Sequence, residues 1–347
     1  MQEINQIDFT ITEEQADLIN GFSSICWEKI SVRERLEKQK KAVLSFIKKE
    51  RLNDAIDLSI TESIFDNARS CIDHFMNGDL ASSIEALSSF YFTGMNYIRY
   101  FRLNEENIVG YRIRELEGKR KKYKRQEMFH IPFEKRYMVS NQRFSITGYP
   151  CLYIGSSIYG CWKEIKPEKE EKFSVIAIRN TQLVTTLDLR LRKVSAGPFN
   201  NKDFYRCIIS WFCSYKEHKK DGVFKESYIF PQMMTAALVK TYKRLWSDTG
   251  ISYALYPRGF IYSSSLSEDI TWHNYVFPVE SDNEKGLCPI LESLFSYTDP
   301  VSYPWFKNLV IKDFRNCERN LFCKDASGIK SFTLLEEFLT QCGIVDK

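Results

Sequence analysis

Residues 108–114 read Ile-Val-Gly-Tyr-Arg-Ile-Arg and residues 151–155 read Cys-Leu-Tyr-Ile-Gly, and these two stretches decide the fold class. Both are rich in β-branched and aromatic residues, which is typical of β-strands. Comparable stretches, bounded by Gly, Pro, Asn or Asp, follow at 173–178, 183–189, 250–253 and 274–278. Helical stretches interleave with them at 203–216 and 228–246. Because the strands are spaced too irregularly for a βαβ series, the sequence predicts an α+β region from about residue 106 onward.

The first 105 residues have a different pattern of apolar residues and capping signals, which predicts helices. Thr12 and Gln15 have the spacing of a capping box, which opens a helix. An apolar stripe recurs at helical spacing, formed by Ile64, Phe65, Ala68, Ile72 and Phe75. Gly78 follows as a helix stop and Asp79 as the next cap. No proline occurs in this region, which suits a helical bundle.

Changes in composition divide the chain into three expected domains. An all-α N-terminal domain covers residues 1–105, the main α+β domain covers 106–285, and a C-terminal extension over 286–347 packs on it. The extension carries a proline-rich loop, a strand-like stretch at 308–311 and a final helix near 332–342. The expected architecture is therefore α+β, preceded by a helical domain.

Composition excludes several classes of protein. The 347 residues are 44% apolar and 27% charged, a balance that excludes a mainly disordered chain. A net charge of +4 is too small to indicate nucleic acid as a partner by itself. No apolar stretch is long enough to span a bilayer, and the polar, acidic N-terminus does not resemble a signal peptide, so no membrane partner is expected. Ten scattered Cys without a CxxC pair, and only four His, predict reduced thiols in a cytoplasmic protein without a metal site.

One charge run interrupts this pattern. Residues 119–125 read Lys-Arg-Lys-Lys-Tyr-Lys-Arg, with six basic side chains in seven positions. Such a run is typical of a solvated loop, and contact with nucleic acid or polyphosphate is the alternative. We expect the solvated loop, and nucleic acid is not expected as a partner.

Four polar residues stand out among the strand-like stretches, namely Arg112, Arg143, Tyr153 and Glu164. Arginine suits phosphate because its planar fork donates two parallel hydrogen bonds. A glutamate beside a tyrosine suits an oxocarbenium-like sugar cation, which a nearby negative charge stabilises. The sequence contains no Walker loop, GxGxxG after a strand, HExxH or GxSxG, so metal hydrolases and nucleoside-triphosphate enzymes have little support.

Residues 111–164 resemble the RES family, which is named after an Arg, a Glu and a Ser. The aromatic-Arg opening of the family matches Tyr111-Arg112-Ile113, and its later Arg-aromatic element matches Arg143-Phe144-Ser145. Its Leu-Tyr-Leu strand, with a Glu eleven residues beyond the Tyr, matches Leu152-Tyr153-Ile154 and Glu164.

The resemblance covers only part of the chain, and the sequence departs from the family pattern at one position. It covers about 106–285 and is most specific between residues 128 and 164, where the sequence is similar to a longer branch of the family. Gln142 stands where the family usually has Gly before the second Arg.

The resemblance implies a fold like that of ADP-ribosyltransferase toxins, with a split mixed sheet and flanking helices around a cleft for NAD⁺. It implies that residues 106–285 are a RES catalytic domain that consumes NAD⁺ as its substrate, by hydrolysis or with inorganic phosphate, and needs no other cofactor. Many members are toxins of bacterial toxin–antitoxin pairs, so an antitoxin or immunity protein is an expected partner.

The resemblance also implies roles for the four residues. Arg112 and Arg143 would hold the pyrophosphate of NAD⁺ by charge-assisted hydrogen bonds. Tyr153 would stack near the nicotinamide ribose. Glu164 would bond a ribose hydroxyl and stabilise the positive charge that develops as nicotinamide leaves.

The third residue of the family name is less well matched. In small members the Ser precedes a Gln at the start of a helix, and Ser227 with Gln232 is the counterpart here, although the spacing differs. Ser263 and Ser264 are a second candidate. We expect His130 to have a structural hydrogen-bonding role rather than a catalytic one.

Two further functions are left open by the sequence. The chain could be an ADP-ribosyltransferase that modifies a protein or nucleic acid, and the run 119–125 is the hint of a macromolecular acceptor. It could also be an inactive RES module used for binding. The intact set of Arg112, Tyr153 and Glu164 argues against the inactive module.

Overall fold

The computed structural model describes residues 6–94, 100–103, 108–165, 172–218, 223–249, 257–264, 272–280, 283–314 and 329–341. The chain forms two compact units. Unit 1 comprises Met1–Phe101, Ser140–Gly148 and Thr186–Ser265, and unit 2 comprises Arg102–Val139, Tyr149–Thr185 and Leu266–Lys347. The predicted α+β class is confirmed, with a helical N-terminal region followed by strands and helices. Among the described residues, no helix has both the length and the apolar character that crossing a bilayer requires.

Local sequence signals set several element boundaries. Within the described residues, the helices are α1 (Glu13–Ser24), α2 (Val32–Lys49), α3 (Leu58–Met76), α4 (Leu80–Gly94), α5 (Ile158–Ile165), α6 (Asn201–Ser214), α7 (Ile229–Thr249), α8 (Pro289–Leu294), α9 (Tyr303–Phe314) and α10 (Ile329–Gln341). The strands are β1 (Asp8–Ile11), β2 (Tyr100–Leu103), β3 (Ile108–Glu115), β4 (Cys151–Gly155), β5 (Phe173–Asn180), β6 (Val184–Leu189), β7 (Gly197–Asn200), β8 (Pro257–Ser263), β9 (His273–Pro278), β10 (Phe295–Tyr297) and β11 (Val301–Ser302). Thr12 and Gln15 form the predicted capping box at the start of α1. Gly78 follows α3 with a φ of 81°, a left-handed conformation that glycine adopts without penalty.

Unit 1 is built around α6. Phe46 of α2 stacks on Phe204 of α6, with 6.4 Å between the ring centroids. Phe65 of α3 lies edge-on to Phe212 of α6 at 5.2 Å. Strands β1 and β7 form an antiparallel pair in the same unit. The N-terminal helices therefore share one core with α6, and the domain boundary expected near residue 105 does not coincide with a separate helical core.

Unit 2 contains strands in the order β10-β5-β3-β4-β9, and β11 also pairs with β5. β3 pairs with β5 along its length, and β4 pairs with β9 along its length, both antiparallel. Over the described residues of β3 and β4, these two strands pair only at Tyr111 and Gly155. The sheet is therefore split at this point into a β5–β3 half and a β4–β9 half.

The core of unit 2 lies on the face of the sheet where α5 and α10 pack. The strands contribute Tyr111, Ile113, Phe173 and Val175, and the helices contribute Ile158, Cys161, Phe332, Leu335 and Leu339. The ring of Phe332 lies 5.9 Å from that of Phe173 and 5.5 Å from that of Tyr303. These contacts hold α5 against the sheet at the end of β4.

Most predicted elements are confirmed, and one is wrong. The predicted strands at 108–114, 151–155, 173–178, 183–189 and 274–278 lie in β3, β4, β5, β6 and β9, and the three predicted helices after residue 200 lie in α6, α7 and α10. The strand predicted at 308–311 is wrong, because these residues lie in α9. Pro304 stands in the first turn of α9, where its fixed φ favours a helix start, and buried Phe306 anchors the helix in the core. The stretch 250–253 lies outside the described residues.

Candidate active site

The turn from β4 into α5 fixes the start of the helix that carries Glu164. Ser157 Oγ accepts a hydrogen bond from Gly160 N at 3.0 Å and caps the start of α5. Ile158 N donates to Glu336 Oε1 of α10 at 2.6 Å. The carboxylate at this helix start also complements the helix dipole. The first turn of α5 is therefore held by its own cap and by α10.

Glu164 lies in the last turn of α5, with its side chain exposed. Asn274 of β9 is buried, and its Nδ2 donates to Glu164 Oε1 at 2.6 Å. Gly155, opposite Asn274 in the β4–β9 pairing, makes this contact sterically possible. A Cβ at Gly155 would lie 2.4 Å from Cys161 Sγ and 3.2 Å from Asn274 Oδ1. The glycine thus lets α5 approach the sheet closely enough for a buried amide to orient the Glu164 carboxylate.

Arg112 lies on β3, where the sheet splits. Its Nη1 donates to the main-chain oxygen of Tyr153 at 3.1 Å. Its Nε is buried and has no hydrogen-bond partner among the described residues, and no carboxylate in the described part of the chain forms an ion pair with it. Burial, together with the neighbouring charge of Arg114, lowers the pKa of the guanidinium to about 10. A buried donor without a partner is costly, and an anionic ligand would relieve that cost.

The charges of Arg112 and Glu164 both affect the pKa of the Cys161 thiol. Cys161 Sγ donates to the main-chain oxygen of Tyr111 at 3.3 Å. Burial raises the pKa of the thiol to about 12, the Glu164 charge raises it and the Arg112 charge lowers it. The thiol is therefore protonated at neutral pH and inert as a nucleophile. Two charges of opposite sign, those of Glu164 and Arg112, therefore act on one neutral, buried sulfur.

Tyr153 lies on β4 next to these groups and is half-buried. It stands opposite Val276 of β9, two residues before Gly155. Because side chains alternate along a strand, Tyr153 shares a face with Gly155, the face on which α5 packs. The structure therefore places Arg112, Tyr153 and Glu164 on β3, β4 and α5, three elements that meet at one junction within unit 2. Arg112 lies between Tyr111 and Ile113 of the α5 core, so its side chain leaves β3 on the face opposite to that core.

Arg143 belongs to unit 1 and has structural contacts there. It is buried, and its Nη1 donates to the main-chain oxygens of Cys213 and Tyr215 at 2.9 and 3.0 Å. Its guanidinium also lies over the ring of Tyr228 at 4.9 Å. These carbonyls end α6, so Arg143 caps the helix C-terminus with a positive charge. Only part of its fork is left for a ligand.

Ser227 also belongs to unit 1, in a short 3₁₀ turn before α7. It is buried, and its Oγ donates to Glu217 Oε2 at 3.0 Å. Gln232 Nε2, on α7, donates to the main-chain oxygens of Gln142 and Ser145 at 2.8 and 3.1 Å. The Ser-to-Gln stretch and the segment with Arg143 therefore meet in one hydrogen-bonded cluster.

The two alternative serines and His130 have local partners. Ser263 Oγ accepts from Leu191 N at 3.0 Å, and Ser264 is buried beside it. His130 is fully buried, its Nε2 accepts from Cys288 N at 2.8 Å, and its Nδ1 lies 2.8 Å from the main-chain oxygen of Ile131. Burial lowers the pKa of His130 to about 4, so the ring is neutral at pH 7. These bonds join His130 to the loop before α8.

Asn274 is the residue that the sequence did not single out. It lies in a stretch predicted as a strand, but its pairing with Glu164 spans 110 residues along the chain. A polar residue at the start of an otherwise apolar and aromatic strand was the available signal. Within the described residues, no group of three His, Cys, Asp or Glu side chains is arranged to hold a metal ion.

Comparison with known proteins finds one relative that is named as a putative toxin. A protein of Bacillus subtilis (strain 168) named "Putative toxin YopC" is 30% identical over 203 residues. The aligned part covers 54% of this chain and 45% of that protein, so the chain spans less than half of the relative's length. No family model matches the chain, and no solved structure matches it. The chain is thus similar to a protein named as a toxin.

Proposed function

We propose that this chain is an NAD⁺-degrading enzyme of the RES type, which cleaves the bond between nicotinamide and ribose and acts as a toxin or defence effector. The observation that carries the proposal is the junction in unit 2, where buried Asn274 orients the exposed Glu164 carboxylate and the buried Nε of Arg112 has no hydrogen-bond partner among the described residues. The similarity to a protein named as a toxin supports the biological part of the proposal.

The substrate has the charges that this junction complements. The pyrophosphate of NAD⁺ is an anion, and Arg112 has spare donors in a half-buried position where water competes less. The nicotinamide ribose becomes positively charged as the bond breaks, and the Glu164 carboxylate would stabilise that charge. Tyr153 would offer its ring to the ribose from the same face as α5.

The reaction is dissociative and balances simply. The bond between ribose C1′ and the nicotinamide nitrogen breaks, and its electron pair leaves with nicotinamide, which becomes neutral. Water adds to C1′ and loses a proton to give ADP-ribose, or phosphate adds to give its phosphate ester. Glu164 would act by its charge and by bonding a ribose hydroxyl. Asn274 would act as a positioning residue, because it touches Glu164 and not the reacting atoms.

Arg143 and Ser227 enter the proposal as weaker members. The family resemblance implies that they bind NAD⁺, yet both make buried hydrogen bonds inside unit 1. Any ligand contact would use the remaining donors of the Arg143 fork.

A product assay on the full chain tests the proposal. Purified protein is mixed with NAD⁺, with and without inorganic phosphate, and the products are separated by chromatography. Nicotinamide with ADP-ribose, or with its phosphate ester, supports the proposal. ADP-ribose attached to a protein or nucleic acid would instead identify a transferase. Intact NAD⁺ after long incubation of folded protein contradicts both enzymes and leaves a binding module.

The toxin role has its own test. Induced expression in a bacterial host is expected to lower cellular NAD⁺ and arrest growth, and Glu164→Gln is expected to relieve both. A growth arrest that persists in the Glu164→Gln variant would separate toxicity from NAD⁺ loss. A co-expressed antitoxin or immunity protein would be expected to restore growth without changing Glu164.

A further inference from the structure

A cavity of about 950 Å³ lies in unit 2, apart from the junction of Arg112, Tyr153 and Glu164. It is bounded by the turn after β3, the start of β5, the turn into β11, and helices α9 and α10. We propose that it binds a nucleotide, with the phosphate on lysines at one side and the base on Trp305. The proposal does not depend on NAD⁺ cleavage, because none of the three junction residues lines the cavity.

Trp305 supplies a flat platform. It lies in the first turn of α9 and is 53% exposed, which is unusual for so large an apolar side chain. Its ring centroid lies 6.2 Å from that of Phe338 on α10, which supports it from below. Base stacking on an aromatic ring is strong and tolerates any base, because every base has a π-face.

Four lysines line the same cavity, namely Lys119, Lys121, Lys122 and Lys172. The first three are exposed and Lys172 is half-buried. No ion pair within the described residues neutralises their ammonium groups, whereas Arg120 pairs with Glu127 at 3.0 Å. Lysine ammonium groups bind phosphate as point charges, and four of them in one rim attract an anion. Asp299 also lines the cavity, opposite in sign to this rim.

The turn that presents these lysines is attached at Tyr123 and Arg125, while the basic residues at 119–122 and 124 are exposed, as expected from the sequence. Tyr123 is buried, and its hydroxyl donates to the main-chain oxygen of Glu115 at 2.6 Å. Arg114 and Arg120 lie over its ring at 4.8 and 4.4 Å. Arg125 Nη2 donates to the main-chain oxygen of Tyr297 at 2.7 Å. The basic run is therefore anchored by its second half, and its first four residues, 119–122, line the cavity.

Size and chemistry together select the ligand class. The cavity volume lies within the range of small-molecule sites, which is about 300–1,000 Å³. An aromatic platform on one side and cations on the other match a base joined to a phosphate, whereas an acidic peptide would leave the indole without a planar partner. The same chemistry is offered by a free nucleotide and by the end of a single-stranded RNA.

The test is calorimetric titration of the full chain with three probes: ADP, adenosine and a single-stranded oligoadenylate of about eight nucleotides. We expect ADP to bind more tightly than adenosine, with an affinity that falls as salt is raised. Tighter binding of the oligoadenylate than of ADP would identify RNA as the source, and the reverse would identify a free nucleotide.

Matched variants make the result specific. Trp305→Ala is expected to weaken ADP binding at least about tenfold, and Trp305→Phe is expected to retain most of it, because a smaller ring still stacks. Replacing Lys119, Lys121 and Lys122 with Gln is expected to weaken ADP binding and flatten its salt dependence. Replacing the exposed Lys41, Lys48 and Lys49 of α2 with Gln removes equal charge elsewhere and is expected to change nothing.

Three results would overturn the proposal. The first is ADP binding that is unchanged in folded Trp305→Ala. The second is ADP binding that is lost in Arg112→Gln, which would place the nucleotide at the junction instead. The third is binding of an acidic peptide without binding of ADP. NAD⁺ cleavage in the Trp305→Ala variant is expected to be normal, so failure here is distinguishable from failure of the proposed enzyme.

Discussion

Arg112 in unit 2 and Arg143 in unit 1 are the same residue type, expected for the same task, and the structure uses them differently. Arg112 Nη1 donates a hydrogen bond to the main-chain oxygen of Tyr153, and its buried Nε has no partner among the described residues. Arg143 Nη1 donates hydrogen bonds to the carbonyls at the C-terminal end of α6, and its guanidinium lies over the ring of Tyr228. The difference teaches that two arginines predicted for one role can differ in how fully the fold satisfies their donors, and a buried donor left without a partner is the one that calls for an explanation.

The largest expected effect tests the negative charge of Glu164 in unit 2. Glu164→Gln keeps the shape and the contact with Asn274 but removes the negative charge, so NAD⁺ cleavage is expected to fall about 10²–10³-fold. The measurement is initial rate by product chromatography, with folding checked by circular dichroism. Glu62→Gln, an exposed change on α3, is the matched control and is expected to have no effect. Near-normal turnover in folded Glu164→Gln would remove Glu164 from the mechanism.

The second prediction sharpens the role of Asn274. Asn274→Ala removes the amide that orients Glu164, and kcat for NAD⁺ is expected to fall about tenfold while KM changes little. Loss of a structural role alone would lower stability and leave kcat per folded molecule unchanged. Steady-state kinetics and urea unfolding on the same sample separate the two.

The third prediction contrasts the two arginines directly. Arg112→Lys keeps the charge but loses the fork, so KM for NAD⁺ is expected to rise about tenfold with little change in stability. Arg143→Lys is expected to do the opposite, because it loses buried hydrogen bonds that end α6, and to lower the free energy of unfolding by about 1–2 kcal/mol. Kinetics and urea titrations of both variants are the measurements. A raised KM in stable Arg143→Lys would show that Arg143 touches the dinucleotide and would break the comparison.

The fourth prediction concerns the buried His130 of unit 2. Burial lowers its pKa from an ordinary value near 6.5 to about 4. Between these pH values the unfolded chain binds a proton that the folded chain does not, so this histidine lowers the free energy of unfolding as pH falls from about 6.5 to about 4. The full contribution is on the order of 3 kcal/mol.

Urea titrations across this pH range measure the effect. His130→Gln is expected to lower stability at pH 7, where its bonds to Cys288 and Ile131 are altered, and to flatten the pH dependence below it. His74→Gln, at a partly exposed site, is the matched control. An unchanged slope in His130→Gln would show that other groups set the acid sensitivity.

The smallest expected effect separates the two proposed sites of unit 2. Replacing Lys119, Lys121 and Lys122 with Gln is expected to leave the rate of NAD⁺ cleavage within about twofold at physiological salt, because exposed charges away from the junction are screened. A collapse of cleavage in this folded variant would join the basic cavity to the active site.

The sequence determined the local elements well because their signals are local. The β-branched and aromatic residues in 151–155 and 173–178 and the capping box at Thr12 and Gln15 all act over a few residues. Where a local preference competed with packing it failed, as at 308–311, where the helix α9 forms behind Pro304. Propensity is a weak term that tertiary contacts override.

Only the tertiary structure decided which hydrogen-bond partners each polar side chain has. The register of β4 and β9 brings Asn274 to Glu164 across 110 residues, and the end of α6 occupies Arg143 across 70 residues. The closeness of α5 to the sheet depends on Gly155 having no side chain, and the sharing of one core by α2, α3 and α6 depends on aromatic contacts between distant segments. The physical reason is that a polar group is satisfied or left over according to what the fold buries beside it, and burial is a property of the packed chain rather than of any short stretch of it.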